Sequence, residues 1–406
     1  VTIGDQCTQP RTQPRAQPRR LARTRLAALA LAAIVAPLAG WQAAPTQAVR
    51  AVVRVEPKLY DARFDVAFIG FPANSSEPAV TLENTSFLLP MIMDGPFSRV
   101  DQASMRPELL LDGRPDRGVS ERARLDAKQE LGMTMAVIPI VSFRGSSIRW
   151  SVAWRVQSWS CRVDEGLLAR ATWPREWPEE VRSALEPQKG IESDQPFAKA
   201  IVGQALGDRL RQTAPWFAAK EILRTCVVGF RSVSTNGLER RAQGRVIGLK
   251  MDGARIAVER GGGTTHDLVA ACVAALRAAG LPARPVVGIV EEDNDDRRSR
   301  DRRRTVLASW GEVFIPDCGW VPFDPNRLRG AAVRQLRVQD AWPGVGTWRD
   351  LNDRVPIAWC FAPRDFPGSD FASVWAWQPS VRVSALSLEA TITVQLISRG
   401  RGVEDP

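Results

Sequence analysis

The sequence predicts an α+β protein, with a β-rich N-terminal region followed by a region of helices and strands. Three observations carry that reading. Ile148, Trp150, Val152, Trp154 and Val156 alternate with Arg149, Ser151, Ala153 and Arg155, the two-residue period of a strand with one buried face. Leu268, Cys272, Leu276 and Ala279 fall on one helical stripe that Gly280 ends. Three runs after it, Pro285–Val290, Thr305–Ile315 and Gly319–Phe323, have the length and composition of strands.

Taken in order, residues 1–48 are expected to form an export signal. Arg11, Arg15, Arg19, Arg20, Arg23 and Arg25 precede an apolar run, Leu26–Gly40. That run is shorter than the roughly 20 residues a membrane span needs, and Thr46-Gln47-Ala48 fits a small-x-small cleavage site. The mature chain is then periplasmic or secreted, and membrane association is expected only if the segment stays uncleaved. Residues 49–163 are expected as a sandwich-like β domain, with further strands at 64–68 and 133–143 and a polar loop or surface helix at 112–129. The Pro-, Trp- and acid-rich stretch within 164–196 suggests a linker. Residues 197–336 hold the helix-then-strand region, including a helix over 215–230 that begins at Pro215. A Trp- and Pro-rich segment, 337–406, ends in the alternation Leu386, Leu388, Ala390, Ile392, Val394, Leu396, one long strand.

Composition excludes several functions. The formal charge of +10 is concentrated in the N-terminal arginines and in Arg297–Arg304, so the basic balance is no argument for nucleic acid. A single histidine, His266, rules out a histidine-rich metal centre, and six cysteines without a CxxC pair disfavour zinc. No metal or cofactor is expected. The acidic run Glu291–Asp296 followed by Arg297–Arg304 suggests a self-neutralising hairpin loop.

Two segments carry candidate chemistry. One runs Gly263-Thr264-Thr265-His266-Asp267-Leu268 and continues through Leu276-Arg277-Ala278-Ala279-Gly280-Leu281-Pro282-Ala283-Arg284. The other is Ala308-Ser309-Trp310-Gly311-Glu312-Val313, followed by Gly319-Trp320-Val321-Pro322-Phe323-Asp324-Pro325. In this order and spacing they resemble the transglutaminase-like core family, a papain-type fold in which a helix packs on an antiparallel sheet. The resemblance implies cysteine acyl transfer. A thiolate at a helix N-terminus attacks, a histidine on the neighbouring strand moves the proton, and an aspartate on the next strand orients it.

Carried over residue by residue, the nucleophile position is Thr265, the histidine position is Ala308, and the orienting carboxylate is Asp324. Two of the three roles are vacant. The expected function is therefore an exported pseudoenzyme that binds a peptide, protein or envelope polymer in the residual cleft, with Trp310 and Trp320 as cleft walls. An active amidase, peptidase or acyltransferase using Thr265 with His266, and a structural envelope protein acting through its β-rich domain, are the alternatives. Simpler roles are also expected. Thr264 and Asp267 fit a capping box, His266 a partly exposed first-turn residue, Cys272 a core residue, and Cys318 a turn residue.

Overall fold

A computed structural model of the chain describes residues 50–70, 80–116, 127–130, 133–235, 237–240, 246–293, 303–363, 376–378 and 388–404. The expected export signal, the centre of the acidic-basic loop, residues 117–126 of the polar stretch and Leu386 lie outside them. All described residues belong to one compact unit, Val49–Pro406.

The N-terminal half is built from strands β1 (Val52–Gly70), β2 (Val80–Pro90), β3 (Ser98–Leu111), β4 (Arg114–Pro115), β5 (Ala127–Glu130), β6 (Met133–Gly145) and β7 (Ser147–Val163). The alternation read in the sequence sets the β1–β7 register. Tyr60 opposes Val156, Phe64 opposes Val152 and Phe68 opposes Ile148, which puts every apolar partner on one face. Tyr60, Phe64, Phe68 and Trp154 are all buried. β2, β6 and β5 form part of a second antiparallel sheet. The two sheets share a core, with the Phe68 and Phe87 rings 4.4 Å apart.

Residues 164–196, expected as a linker, are packed. Short helices α1 (Glu165–Ala169) and α2 (Glu179–Arg182) bury Leu168 and Val181, and Ile191 is buried beyond them. The Glu165 carboxylate accepts from Trp216 Nε1 at 2.6 Å and from the wholly buried Lys220 Nζ at 2.7 Å. The tryptophans that suggested a linker supply packing surface instead. Trp173 lies 4.2 Å beneath the Arg211 guanidinium and donates Nε1 to the Thr213 carbonyl.

Beyond this come α3 (Pro196–Ala205), α4 (Pro215–Gly229), β8 (Ser232–Ser234), β9 (Leu238–Arg240), β10 (Val246–Leu249), α5 (Ala254–Arg260), β11 (Gly262–Thr264) and α6 (Thr265–Ala278). The chain then forms β12 (Ala283–Asp293), β13 (Arg303–Ile315), β14 (Gly319–Phe323), α7 (Pro325–Arg329), β15 (Arg354–Ala358), β16 (Ala376–Gln378) and β17 (Leu388–Arg401). Helix α6 is the hub. Helices α3, α4 and α5 pack against it, as do strands β12 and β13 of the antiparallel sheet β14-β13-β12-β15. Every residue from His266 to Arg277 is buried.

The strand at the end of the chain closes the sheet begun at its start, giving the order β17-β1-β7-β3-β4. Pairing runs from Lys58 opposite Arg401 to Gly70 opposite Leu388 and buries Ile392 and Leu396. β16 pairs with β2 in the same way. The last segment of the sequence thus completes both N-terminal sheets.

Candidate functional site

Helix α6 begins as the sequence suggests. The Thr264 hydroxyl accepts from the Asp267 N–H, and the Asp267 carboxylate accepts from the Thr264 N–H at 2.8 Å. This reciprocal cap satisfies two donors that the helix cannot serve itself. The same carboxylate takes the N–H groups of Asp252 and Gly253, each at 2.9 Å. Burial raises the Asp267 pKa, and these hydrogen bonds oppose the rise.

A cavity of ≈ 420 Å³ opens at the start of α6. Thr265 and His266 from the helix, Ala308 and Ser309 from β13, Asp324, and Arg354 from β15 line it. The three triad positions inferred from the sequence therefore share one cavity, as does the lone histidine. Its other wall is formed by Thr235, Gly237, Leu238 and Arg240, at the β9–β10 pair. That wall is tied to the helix start by Thr264, which donates Oγ1 to the Lys250 carbonyl at 2.8 Å, while Lys250 N donates to Gly237.

This covering wall explains the first departure from expectation. His266 is not partly exposed but 2% exposed. Gly237 lies directly over the ring, where an added Cβ would stand 2.6 Å from Nε2. Burial pushes the imidazole pKa down to about 4, and the Gly237 backbone beside it partly offsets this. The ring is therefore neutral near pH 7. Gly237 crowds Nε2, which has no hydrogen-bond partner among the described residues. Nδ1 pairs with Ser309 Oγ at 2.7 Å.

Ser309, only 6% exposed, is the functional candidate that the sequence reading missed. The available signal was its place between the histidine position and Trp310 in the strand motif, one residue from where an imidazole was sought. No hydrogen bond joins Thr265 to His266 among the described residues. The Thr265 carbonyl accepts instead from Asn326 Nδ2 at 3.3 Å.

Asp324 caps α7 by accepting from Asn326 N at 3.0 Å, and its other oxygen lies 3.5 Å from Arg354 Nη2. Its carboxylate is thus committed to a backbone N–H and a guanidinium.

Trp310 and Trp320 do not wall the cavity. Trp310 is 2% exposed and packs in the core, with the Arg354 guanidinium 5.6 Å from its ring. Trp320 stacks beneath Arg284 at 4.0 Å and edge-on to Phe314 at 5.5 Å. Arg284 in turn forms a buried ion pair with Glu312 at 2.7 Å. The family-like tryptophans thus serve packing. No described cysteine lines the cavity. Burial holds the Cys272 thiol far above its usual pKa, and Cys318, half-buried in the turn before β14, is also raised.

The sequence profile of the transglutaminase-like superfamily matches residues 242–325, which span the helix, the strands and Asp324. The stretch is thus similar to a transglutaminase-like core. A solved structure of a candidate cysteine protease from Cytophaga hutchinsonii resembles the chain with a TM-score of 0.52 at 12% identity. The likeness covers 87% of this chain and 94% of that one, so the shared fold reaches well beyond the transglutaminase-like core. A candidate protease from Parabacteroides distasonis, at 10% identity over 66% of this chain and 63% of its own, has a TM-score of 0.21 and carries no argument. No curated protein matches the chain.

Proposed function

We propose that the chain holds an extended peptide, protein segment or envelope polymer in the cavity at the start of α6, and that it does not perform the cysteine acyl transfer of transglutaminase-like enzymes. One observation carries this reading: a formed cavity in which both reacting groups are replaced. Thr265 and Ala308 line it where the resemblance implies thiolate and imidazole. A threonine hydroxyl has no thiolate-like population near pH 7 and needs an adjacent base, which the Ala308 methyl group does not supply. Asp324, bonded to Asn326 N and facing Arg354, is engaged elsewhere. The arginine cluster and apolar run within residues 1–48 support export, which places the polymer outside the cytoplasm.

The chemical test is an amine-incorporation and ammonia-release assay on the purified chain with a glutamine-containing peptide, run beside the double variant Thr265→Cys, Ala308→His. The expected result is silence in the wild type and turnover in the double variant. Wild-type turnover that is lost on alkylation of its thiols overturns the reading. The binding test uses Ala308→Trp, which fills the cavity without deleting a hydrogen bond. Fluorescence anisotropy with a panel of extended labelled peptides should show binding to the wild type and none to this variant.

A further inference from the structure

We propose that Ser309 and His266 form a nucleophile–base pair that transfers acyl groups from O-acyl esters held in the cavity. This rests on the reading that the cavity receives a polymer strand, and it adds a reaction which that reading does not contain.

The geometry is specific. Ser309 Oγ and His266 Nδ1 are 2.7 Å apart, within the reach a base needs to take a hydroxyl proton. Both residues line the same cavity, so the hydroxyl adjoins the space a ligand would occupy. The pair stands one residue beyond each vacated position, His266 after Thr265 and Ser309 after Ala308. The roles are also exchanged between elements. In the family pattern the helix carries the nucleophile and the strand the base, whereas here the helix carries the imidazole and the strand the hydroxyl.

With the ring proton on Nε2, the Nδ1 lone pair faces Ser309 Oγ. The fourteen-residue helix α6 starts at the same cavity, and its first-turn N–H groups favour negative charge developing there.

The reaction balances without a cofactor. Nδ1 takes the Ser309 proton as Oγ bonds the ester carbonyl carbon, and that carbonyl's π pair moves onto its oxygen. Collapse of the tetrahedral species breaks the carbon–oxygen bond to the alcohol, which leaves with the proton from Nδ1. Water then attacks the acyl-serine, passing its proton through Nδ1 to Ser309 Oγ, and the carboxylic acid is released.

Esters are the expected class because, among the described residues, no carboxylate bonds the His266 ring. Asp324, the carboxylate lining the cavity, is engaged by Asn326 N and Arg354. A base held at about 4 is weak, so the substrate must supply an electrophilic carbonyl and a good leaving group.

The test treats the purified full-length chain with a fluorophosphonate and maps the adduct by peptide mass spectrometry. Ser309→Ala, His266→Asn and the cavity-filling Ala308→Trp are run in parallel, with melting curves to confirm folding. The expected result is one adduct on Ser309, absent in Ser309→Ala and slowed about a hundredfold or more in His266→Asn, in line with the usual contribution of a general base. No adduct on Ser309 in the wild type overturns the proposal, even if a variant fails to fold. An adduct formed equally fast in folded His266→Asn also overturns it. Peptide binding measured on the wild type and on Ser309→Ala keeps the two readings apart. Retained binding with no wild-type adduct refutes the dyad alone, whereas lost wild-type binding refutes the cavity reading beneath it.

Discussion

His266 makes acid stability a sharp test of the site. In the unfolded chain its imidazole titrates near 6.5, and in the fold burial brings this down to about 4. Between those values the unfolded chain binds the proton and the folded chain does not, so folding stability falls as pH falls. The contribution is intact above pH 6.5 and is lost progressively down to pH 4. A difference of that size corresponds to about 3 kcal/mol at pH 4. Asp267 works in the opposite direction, because burial raises its pKa and acid favours its folded form. The measurement is therefore a comparison. Urea unfolding is followed at a series of pH values from 7 to 4 for the wild type and for His266→Asn, which places a polar amide near the position of Nδ1 and cannot titrate. Asp267 is common to both proteins and cancels. The wild type should lose about 3 kcal/mol more than the variant over this range. Parallel curves would mean that His266 titrates in the fold as it does in the unfolded chain, and would remove the basis for a buried His266–Ser309 pair.

Three further perturbations probe the packing around α6 and its sheet. Gly237→Ala would set a methyl group 2.6 Å from His266 Nε2 and 3.0 Å from Thr265 Oγ1, so denaturant unfolding should show a loss of about 1–3 kcal/mol. Lys220→Met removes the wholly buried ammonium that bonds Glu165 and the carbonyls of Val338 and Asp340. It should cost about 3–5 kcal/mol in thermal or urea unfolding, since the partners stay unsatisfied. Arg284→Met alone strands the buried Glu312 carboxylate and should cost a similar ~3–5 kcal/mol, whereas adding Glu312→Leu should recover most of that loss.

The sequence showed the fold wherever one physical pattern governed a segment. Strand alternation located β7, the single apolar stripe located α6, and the Thr264–Asp267 spacing marked where that helix begins. It was silent where position depends on distant partners. Nothing local to Leu388–Arg401 reveals that this strand lies against Val52–Gly70, because sheet pairing between chain ends leaves no short-range signal. The tryptophans of 164–196 resembled linker composition since their packing partners, such as Arg211, lie elsewhere in the sequence. The same limit applied at the site. The Thr265, Ala308 and Asp324 positions could be read from motif spacing, and all three reach one cavity. The burial of His266 depends on Gly237, 29 residues upstream, and Ser309 acquires its partner only through packing of β13 on α6.

The motif residues that resemble the family's are held by contacts within the core. Asp324 caps α7. Glu312 and Arg284 form a buried pair, with the guanidinium also between the rings of Trp320 and Trp359 at 4.0 and 4.8 Å. Gly311 admits the Phe323 ring so closely that an added Cβ would lie 2.1 Å from it. Each of these contacts is structural, and changing any one of them would strain the core or leave a buried charge. The nucleophile and base positions carry no such burden. Thr265 is half-buried at the cavity edge, with the cap supplied by Thr264 beside it, and Ala308 is a half-buried methyl group. Packing therefore constrains the motif at these positions and leaves Thr265 and Ala308 less constrained. That separation is why the likeness speaks for the fold and not for a particular chemistry. It also predicts that Thr265→Cys and Ala308→His can be introduced together without unfolding the core that surrounds them, which a melting curve of the double variant would check.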